Sequence, residues 1–307
     1  MASTITLKLS NRAKPLKKLP SEITVPSTAT IEDVKAIISK KCGIRDQNRI
    51  GLYYPATKKT IKDRKALVSN ETEVMASGEL LVKDLGPQIA WKTVFLVEYF
   101  GPILFHVAVV ALRPYIYTGA DTTPLSNTQQ LAFWMIVLHF FKRELETLFV
   151  HKFSASTMPA FNIFKNSFFY WVFSGLLSAW AIYSPTSLAA TANQPLVDYA
   201  GLAVYVFGEI SNGLVHLHLS SLRSRGGTER KVPNGYGFSL VTCPNYLFET
   251  ISWLGVILVS RNWAVTLFIT IGVAQMSVWA KGKERAYRKE FGDKYKKKRF
   301  VMLPGIV

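Results

Sequence analysis

Only two cysteines occur among 307 residues, and Cys42 and Cys243 fall in stretches of different character. That spacing excludes a disulfide framework or a cysteine-based metal knuckle, and both thiols are expected as small buried side chains. No N-terminal apolar run with a small-residue cleavage site is present, so no secretory signal is expected and the first residues are expected to remain cytosolic. Internal repeats and low-complexity tracts are also missing, so no repeat architecture is expected. Acidic residues are scarce, 20 against 37 Lys and Arg, for a net charge of +17. Nucleic acid would suit such a surplus. Much of it, however, flanks apolar windows or lies between Lys281 and Arg299, where ten bases face three acids. A membrane is therefore the expected partner rather than nucleic acid. What is abundant agrees with this: the chain is 49% apolar and 13% aromatic, with a positive mean hydropathy of +0.17, unlike an ordinary soluble domain.

Residues 1–86 read as a charged, mixed segment, and the character changes near "KDLGPQ" (83–88). Alternation predicts strands in "TITLKL", "EITV", "RIGLYY" and "ELLVKD". Between the second and third, "TIEDVKAIISKKCG" predicts a helix with Thr30 as N-cap, Ile31, Val34, Ile37 and Ile38 on one face, and Gly43 as its stop. The order strand, strand, helix, strand, strand resembles a ubiquitin-like fold.

From residue 87 to 307 six apolar windows approach bilayer length: 89–112, 130–150, 166–184, 197–220, 240–260 and 262–280. If the first segment is cytosolic, the far-side connections hold only Arg113 and Arg261. The near-side ones hold His151, Lys152, Lys165, Arg223, Arg225, Arg230, Lys231 and the basic tail. The expected fold class is an α-helical polytopic membrane protein of about six transmembrane helices, both termini cytosolic, with an N-terminal α+β ubiquitin-like domain.

Ionisable side chains at bilayer depth cost several kcal/mol unless they face a partner or a cavity. Here they fall at i, i+3 and i+7 in three windows: His139, Lys142 and Glu146; Glu209, Asn212 and His216; Tyr246, Glu249 and Trp253, with Asn245 adjoining. Three stripes imply one shared polar cavity, although helix-to-helix hydrogen bonds use the same residue types. His216 and His218, two apart, point to different helix faces, so no metal is expected. The basic, glycine-containing loop 222–237 suits either a phosphate-bearing cofactor entering from the cytosol or ordinary positive-inside charge.

Three longer runs carry a resemblance. "HFFKRELETLFVHKFSASTMPAFNIFKN" (139–166), "KVPNGYGFSLVTCPNYLFETISWLG" (231–255) and "KERAYRKEFGDKYKKKRFVMLP" (283–304) resemble the very-long-chain trans-2-enoyl-CoA reductases of the steroid 5α-reductase superfamily. That resemblance implies an endoplasmic reticulum enzyme that uses NADPH to reduce a trans-2-enoyl-CoA in the last step of fatty-acid elongation, with other elongase components as partners. Hydride would go to C3 and a proton to C2. It implies catalytic roles for Lys142 and Tyr246, and for Glu98 within "FLVEYFGP". It implies cofactor contacts at Asn212, Arg223, Lys231, Asn245, Glu249, Trp253 and Tyr287; His216 of the same stripe and Arg230 of the loop join them. Lys283 stands where relatives often carry His. Phe140 stands where the steroid enzymes have a catalytic Tyr, so the acid must come from elsewhere. A steroid or sterol reductase, a membrane S-adenosylmethionine methyltransferase and a non-catalytic membrane scaffold are the alternatives.

Overall fold

A computed structural model describes residues 3–117, 124–153, 156–224 and 231–307. The chain divides into two compact units, Met1–Thr93 with Phe153–Asn162, and Val94–Lys152 with Ile163–Val307.

In the first unit the expected strands form as β1 (Thr4–Asn11), β2 (Glu22–Pro26), β3 (Ile50–Tyr53) and β4 (Glu79–Asp84). They make one sheet in the order β2-β1-β4-β3. β1 is antiparallel to β2 and parallel to β4, while β3 is antiparallel to β4. A parallel pair needs a crossover, and helix α1 (Ile31–Lys41) lies within it. Thr30 caps α1 reciprocally: its hydroxyl accepts from the Asp33 amide, and the Asp33 carboxylate accepts from the Thr30 amide at 2.8 Å. Cys42 closes the helix, and Gly43 follows in the left-handed region at φ 70°. Leu7, Ile23, Ile31, Val34, Ile38, Ile50, Leu52, Leu80 and Val82 are almost wholly buried in one cluster, each contributing about 1.5–3 kcal/mol. A short helix α2 (Thr72–Ser77) precedes β4. Two further strands, β5 (Gln88–Ala90) and β6 (Thr157–Pro159), pair with each other.

The second unit is helical. α3 (Trp91–Ala111) contains Pro102, and Trp171 donates its indole N–H to the Val97 carbonyl at 2.9 Å. After the short α4 (Arg113–Ile116) comes α5 (Asn127–Leu145), which continues into a π-helical turn, Glu146–Val150. α6 (Asn162–Phe168), a second π-helical stretch (Phe169–Leu177) and α7 (Ser178–Ile182) form one interrupted rod, followed by α8 (Leu188–Thr191). α9 (Pro195–Ser221), α10 (Pro244–Ser260) and α11 (Trp263–Phe291) complete the unit.

Among the described residues, two helical segments are long and apolar enough to cross a membrane, Trp91–Ala111 and Trp263–Lys294. The other four expected windows become helices that fall short of that criterion. α10 begins at Pro244 and has 17 residues; α5 carries Lys142 and Arg143 in its last turn; the third window is broken by the π stretch; and α9 is diluted by Glu209, Asn212 and two histidines. Their outer faces are nonetheless apolar. Trp134, Leu138 and Phe141 of α5, and Val206, Phe207, Ile210, Leu214 and Leu217 of α9, are all exposed, whereas between residues 3 and 93 Met75 is the one large exposed apolar side chain.

α9 and α10 pack at backbone contact. A Cβ on Gly208 would lie 2.4 Å from the Ser252 amide nitrogen, and one on Gly255 would lie 2.5 Å from the Gly201 carbonyl oxygen. Only glycine permits this approach. It brings the polar stripes of the two helices into direct contact.

Candidate active site

Each polar stripe is fixed by helical periodicity, which places residues three, four and seven apart on one face. α5, α9 and α10 turn those faces toward one another. His139 lies between two carboxylates, with Nδ1 2.6 Å from Glu209 Oε1 and Nε2 3.3 Å from Glu249 Oε1. Lys142 donates to Asn212 Oδ1 at 2.8 Å and pairs with Glu209 Oε2 at 3.0 Å and Glu146 Oε1 at 3.3 Å. Asn212 in turn donates to the Asn245 carbonyl at 2.9 Å and to Glu249 Oε2 at 3.2 Å. Ser252 donates to Glu209. Trp253, 2% exposed, donates its indole N–H to Glu249 Oε1 at 3.3 Å and sets its ring against His139. His216 hydrogen-bonds Glu146 Oε2 at 2.9 Å. Buried charge is costly unless paired and hydrogen-bonded; the charged groups of this cluster are paired, while Glu209 Oε2, 3.0 Å from the Lys142 ammonium, accepts no hydrogen bond.

The expected residues Lys142, Asn212, Asn245, Glu249, Trp253 and His216 are therefore brought together. Tyr246 sits half-buried in the first turn of α10, its ring centroid 6.5 Å from that of Trp279. Among the described residues no hydrogen bond joins it to Lys142, whose ammonium is held by Asn212, Glu146 and Glu209. Glu98, on α3, is 2% exposed, and its Oε2 has no hydrogen-bond partner. Arg223 and Lys152 clasp each other's backbone: Arg223 Nη1 donates to the Lys152 carbonyl at 2.7 Å, and Lys152 Nζ to the Arg223 carbonyl at 2.6 Å. Lys231 is exposed nearby in sequence, whereas Arg225 and Arg230 lie outside the described residues. Tyr287, 8% exposed, packs its ring 5.5 Å from Tyr295 and beneath Lys283.

Arg143 and Tyr99 were not among the expected residues. Arg143 Nη1 donates to Glu146 Oε2 at 3.0 Å, and Nη2 donates to the Tyr99 hydroxyl at 2.8 Å. Beside Lys142, Arg143 reads as one half of a snorkelling pair, and nothing in its spacing points to a tyrosine 44 positions earlier. Glu146, His151 and His216 offer ligand atoms within 4.8 Å of one another. The Glu146 charge is already met by Arg143 and Lys142, an environment that repels a further cation.

Comparison with known proteins adds to this. Residues 156–307 match the family described as 3-oxo-5-alpha-steroid 4-dehydrogenase. A very-long-chain enoyl-CoA reductase of Dictyostelium discoideum is 38% identical over 95% of this chain and 96% of its own length. A putative enoyl reductase of Schizosaccharomyces pombe is 37% identical over 98% and 99%. A probable very-long-chain enoyl-CoA reductase of Caenorhabditis elegans is 36% identical over 93% and 94%.

Proposed function

The chain belongs to the very-long-chain enoyl-CoA reductase family of the steroid 5α-reductase superfamily, and from that premise we propose that it reduces the double bond of a very-long-chain trans-2-enoyl-CoA with NADPH. The reaction would close each round of fatty-acid elongation in the endoplasmic reticulum membrane, alongside other elongase components. The observation that carries this reading is the buried polar cluster on α5, α9 and α10, set inside helices whose outer faces are apolar. An acyl chain is at home in such a unit, and a thioester beside it meets charged donors.

The residues fit a nicotinamide dinucleotide. Asn245, Glu249 and Asn212 offer amide and carboxylate groups suited to a carboxamide or ribose, with Trp253 and Tyr287 as flat partners and His216 closing the stripe. Arg223 lies 11 residues beyond Asn212, about 16 Å along a helical rise, and with Lys231 and Arg230 offers cations for a 2′-phosphate. NADPH, when bound, supplies the hydride for C3. The chain's own groups do the rest. Tyr246 holds and delivers the proton for C2, Lys142 sets the charge of the cluster behind it, and Glu98 faces the substrate. The paired cluster keeps bulk water away from the reacting carbons.

We further read the first unit, whose strand order is β2-β1-β4-β3 with a helix in the crossover, as a ubiquitin-like domain of residues 1–86, and residues 87–307 as a reductase domain of about six spans with both ends cytosolic. The apolar outer faces of α5 and α9 support lipid contact beyond the two most apolar helices. Purified protein supplied with a trans-2-enoyl-CoA and NADPH should consume the cofactor and yield the saturated thioester. No consumption with any chain length, in protein shown to be folded, would leave a scaffold or methyltransferase role instead.

A further inference from the structure

Between residues 1 and 86, Lys and Arg outnumber Asp and Glu 16 to 9, and many of the acids are occupied within the unit. Glu32 pairs with Arg64 and Asp84 with Arg49. Asp33 caps α1, Glu71 accepts from the Tyr54 hydroxyl, and Glu79 accepts from Ser10 at 2.6 Å. The surplus of cations therefore gathers where no carboxylate meets it. Arg12, Lys58 and Lys83 converge on one surface concavity of about 540 Å³, completed by Asn11, Ala13 and Leu81. No acid lines it. Each cation is placed by a different local device. Arg12 follows β1, with its amide held by the Val82 carbonyl at 2.8 Å and its guanidinium 3.9 Å above the Tyr53 ring centroid. Lys83 shares the outer face of β4 with Leu81, because Leu80 and Val82 point into the core. Lys58 lies in the turn after β3 at φ 52°, a left-handed geometry usually left to glycine. Glu73 braces that turn, accepting from the Ala56 and Thr57 amides at 3.1 Å each. Three cations held in advance around one hollow suit a phosphate.

We propose that this concavity holds the phosphate of an anionic phospholipid headgroup and so docks the N-terminal unit on the membrane that α3 enters. The length of the tether favours a lipid over a phosphate free in solution. β4 ends at Asp84, and α3, apolar over 21 residues, begins at Trp91. Seven residue steps reach at most about 25 Å. The basic unit therefore stays near the headgroups, at a high effective concentration of them, and an anionic leaflet draws each nearby Lys or Arg. Arg12 suits the site further, because a guanidinium stacked on a ring keeps its N–H edges free to fork onto phosphate oxygens. The inference does not depend on the reductase reading. It requires only that α3 lies in a bilayer.

The test uses the full-length protein in lipid nanodiscs, with amide hydrogen exchange read by mass spectrometry over residues 10–14 and 56–60. Discs containing phosphatidylinositol should slow exchange in both segments relative to discs of phosphatidylcholine alone. Lys58→Gln with Lys83→Gln should remove most of that protection, since two cations at an anionic surface carry a factor of roughly 10 to 30 in affinity. Lys58→Gln alone, in an exposed turn, carries the test if the pair does not fold, and should weaken the protection by roughly 5-fold. Lys40→Gln with Lys41→Gln removes the same charge from the last turn of α1 and should keep the protection. Equal loss in the two double variants would overturn the concavity in favour of diffuse attraction. Inorganic phosphate added to phosphatidylcholine discs should leave exchange unchanged, and protection equal to that given by phosphatidylinositol would overturn the lipid assignment. Wild-type exchange that ignores phosphatidylinositol would overturn the proposal outright.

Discussion

Lys142 contacts two carboxylates and one amide at once, so its removal has two consequences that a surface lysine would not show. Lys142→Ala leaves Glu146 and Glu209 short of a cation in a buried setting, and is expected to lower thermal stability as well as turnover. Tyr246→Phe removes one oxygen from a half-buried ring and should leave folding and NADPH binding intact. If Tyr246 delivers the C2 proton, its kcat should fall by roughly 10²- to 10⁴-fold. Steady-state kinetics beside a melting curve separate the two variants, and because the residues would act as one unit, the double variant should be little slower than the worse single one. Near-normal turnover in Tyr246→Phe would remove it from the mechanism. At this scale the sequence was partly legible. The stripes at i, i+3 and i+7 announced Asn212, His216 and Glu249 as one face each, because helical periodicity is local. The Tyr99–Arg143 contact was not legible, because it depends on how α3 meets α5 across 44 residues of chain.

The close approach of α9 and α10 is set by backbone, not by side chains that could rotate away. Gly208→Ala and Gly255→Ala would place a methyl 2.4 to 2.5 Å from main-chain atoms of the opposite helix. Each should destabilise by about 1–3 kcal/mol or more and loosen Asn212 from Glu249. Gly282, which meets nothing within 4 Å, provides the contrast: Gly282→Ala in α11 should be neutral or stabilise by up to about 1 kcal/mol. Equal melting temperatures for all three variants would refute the packing argument. In the first unit, β3 and β4 are tied by Arg49 and Asp84. The Arg49 hydrogen bond, with help from the Gly86 amide, holds the Asp84 carboxyl below its ordinary value. A depressed folded-state pKa means that the stabilisation is present above the unfolded value of about 3.9 and is lost as pH falls through the folded one. Acid unfolding of this unit, followed by methyl NMR of Ile50 and Leu80, should therefore be less steep below about pH 4 in Asp84→Asn than in wild type. β1 to β4 and α1 were readable because alternation and a capping box are local signals. The π turns were not, since widening a helix by one residue depends on what packs against it.

For the whole molecule, the distribution of charge predicts an orientation. Far-side connections hold only Arg113 and Arg261 between them, so a glycosylation acceptor introduced near residue 190 should be modified, and one placed after Phe291 should not. The reverse pattern in microsomes would overturn the six-span, cytosol-in reading. A last consequence belongs to the order in which the chain is made. The first turn of α10, which carries Asn245 and Tyr246, is entered through Cys243, whose amide donates to the Val301 carbonyl at 2.9 Å. Phe300 bridges to Val241, and Met302 is fully buried beside them. Residue 301 leaves the ribosome 58 residues after residue 243 (301 − 243), roughly 3 to 12 s later at ordinary rates of synthesis. Until then the entry to α10 lacks the partner that fixes it, so the candidate site cannot be complete before the last residues of the chain are made.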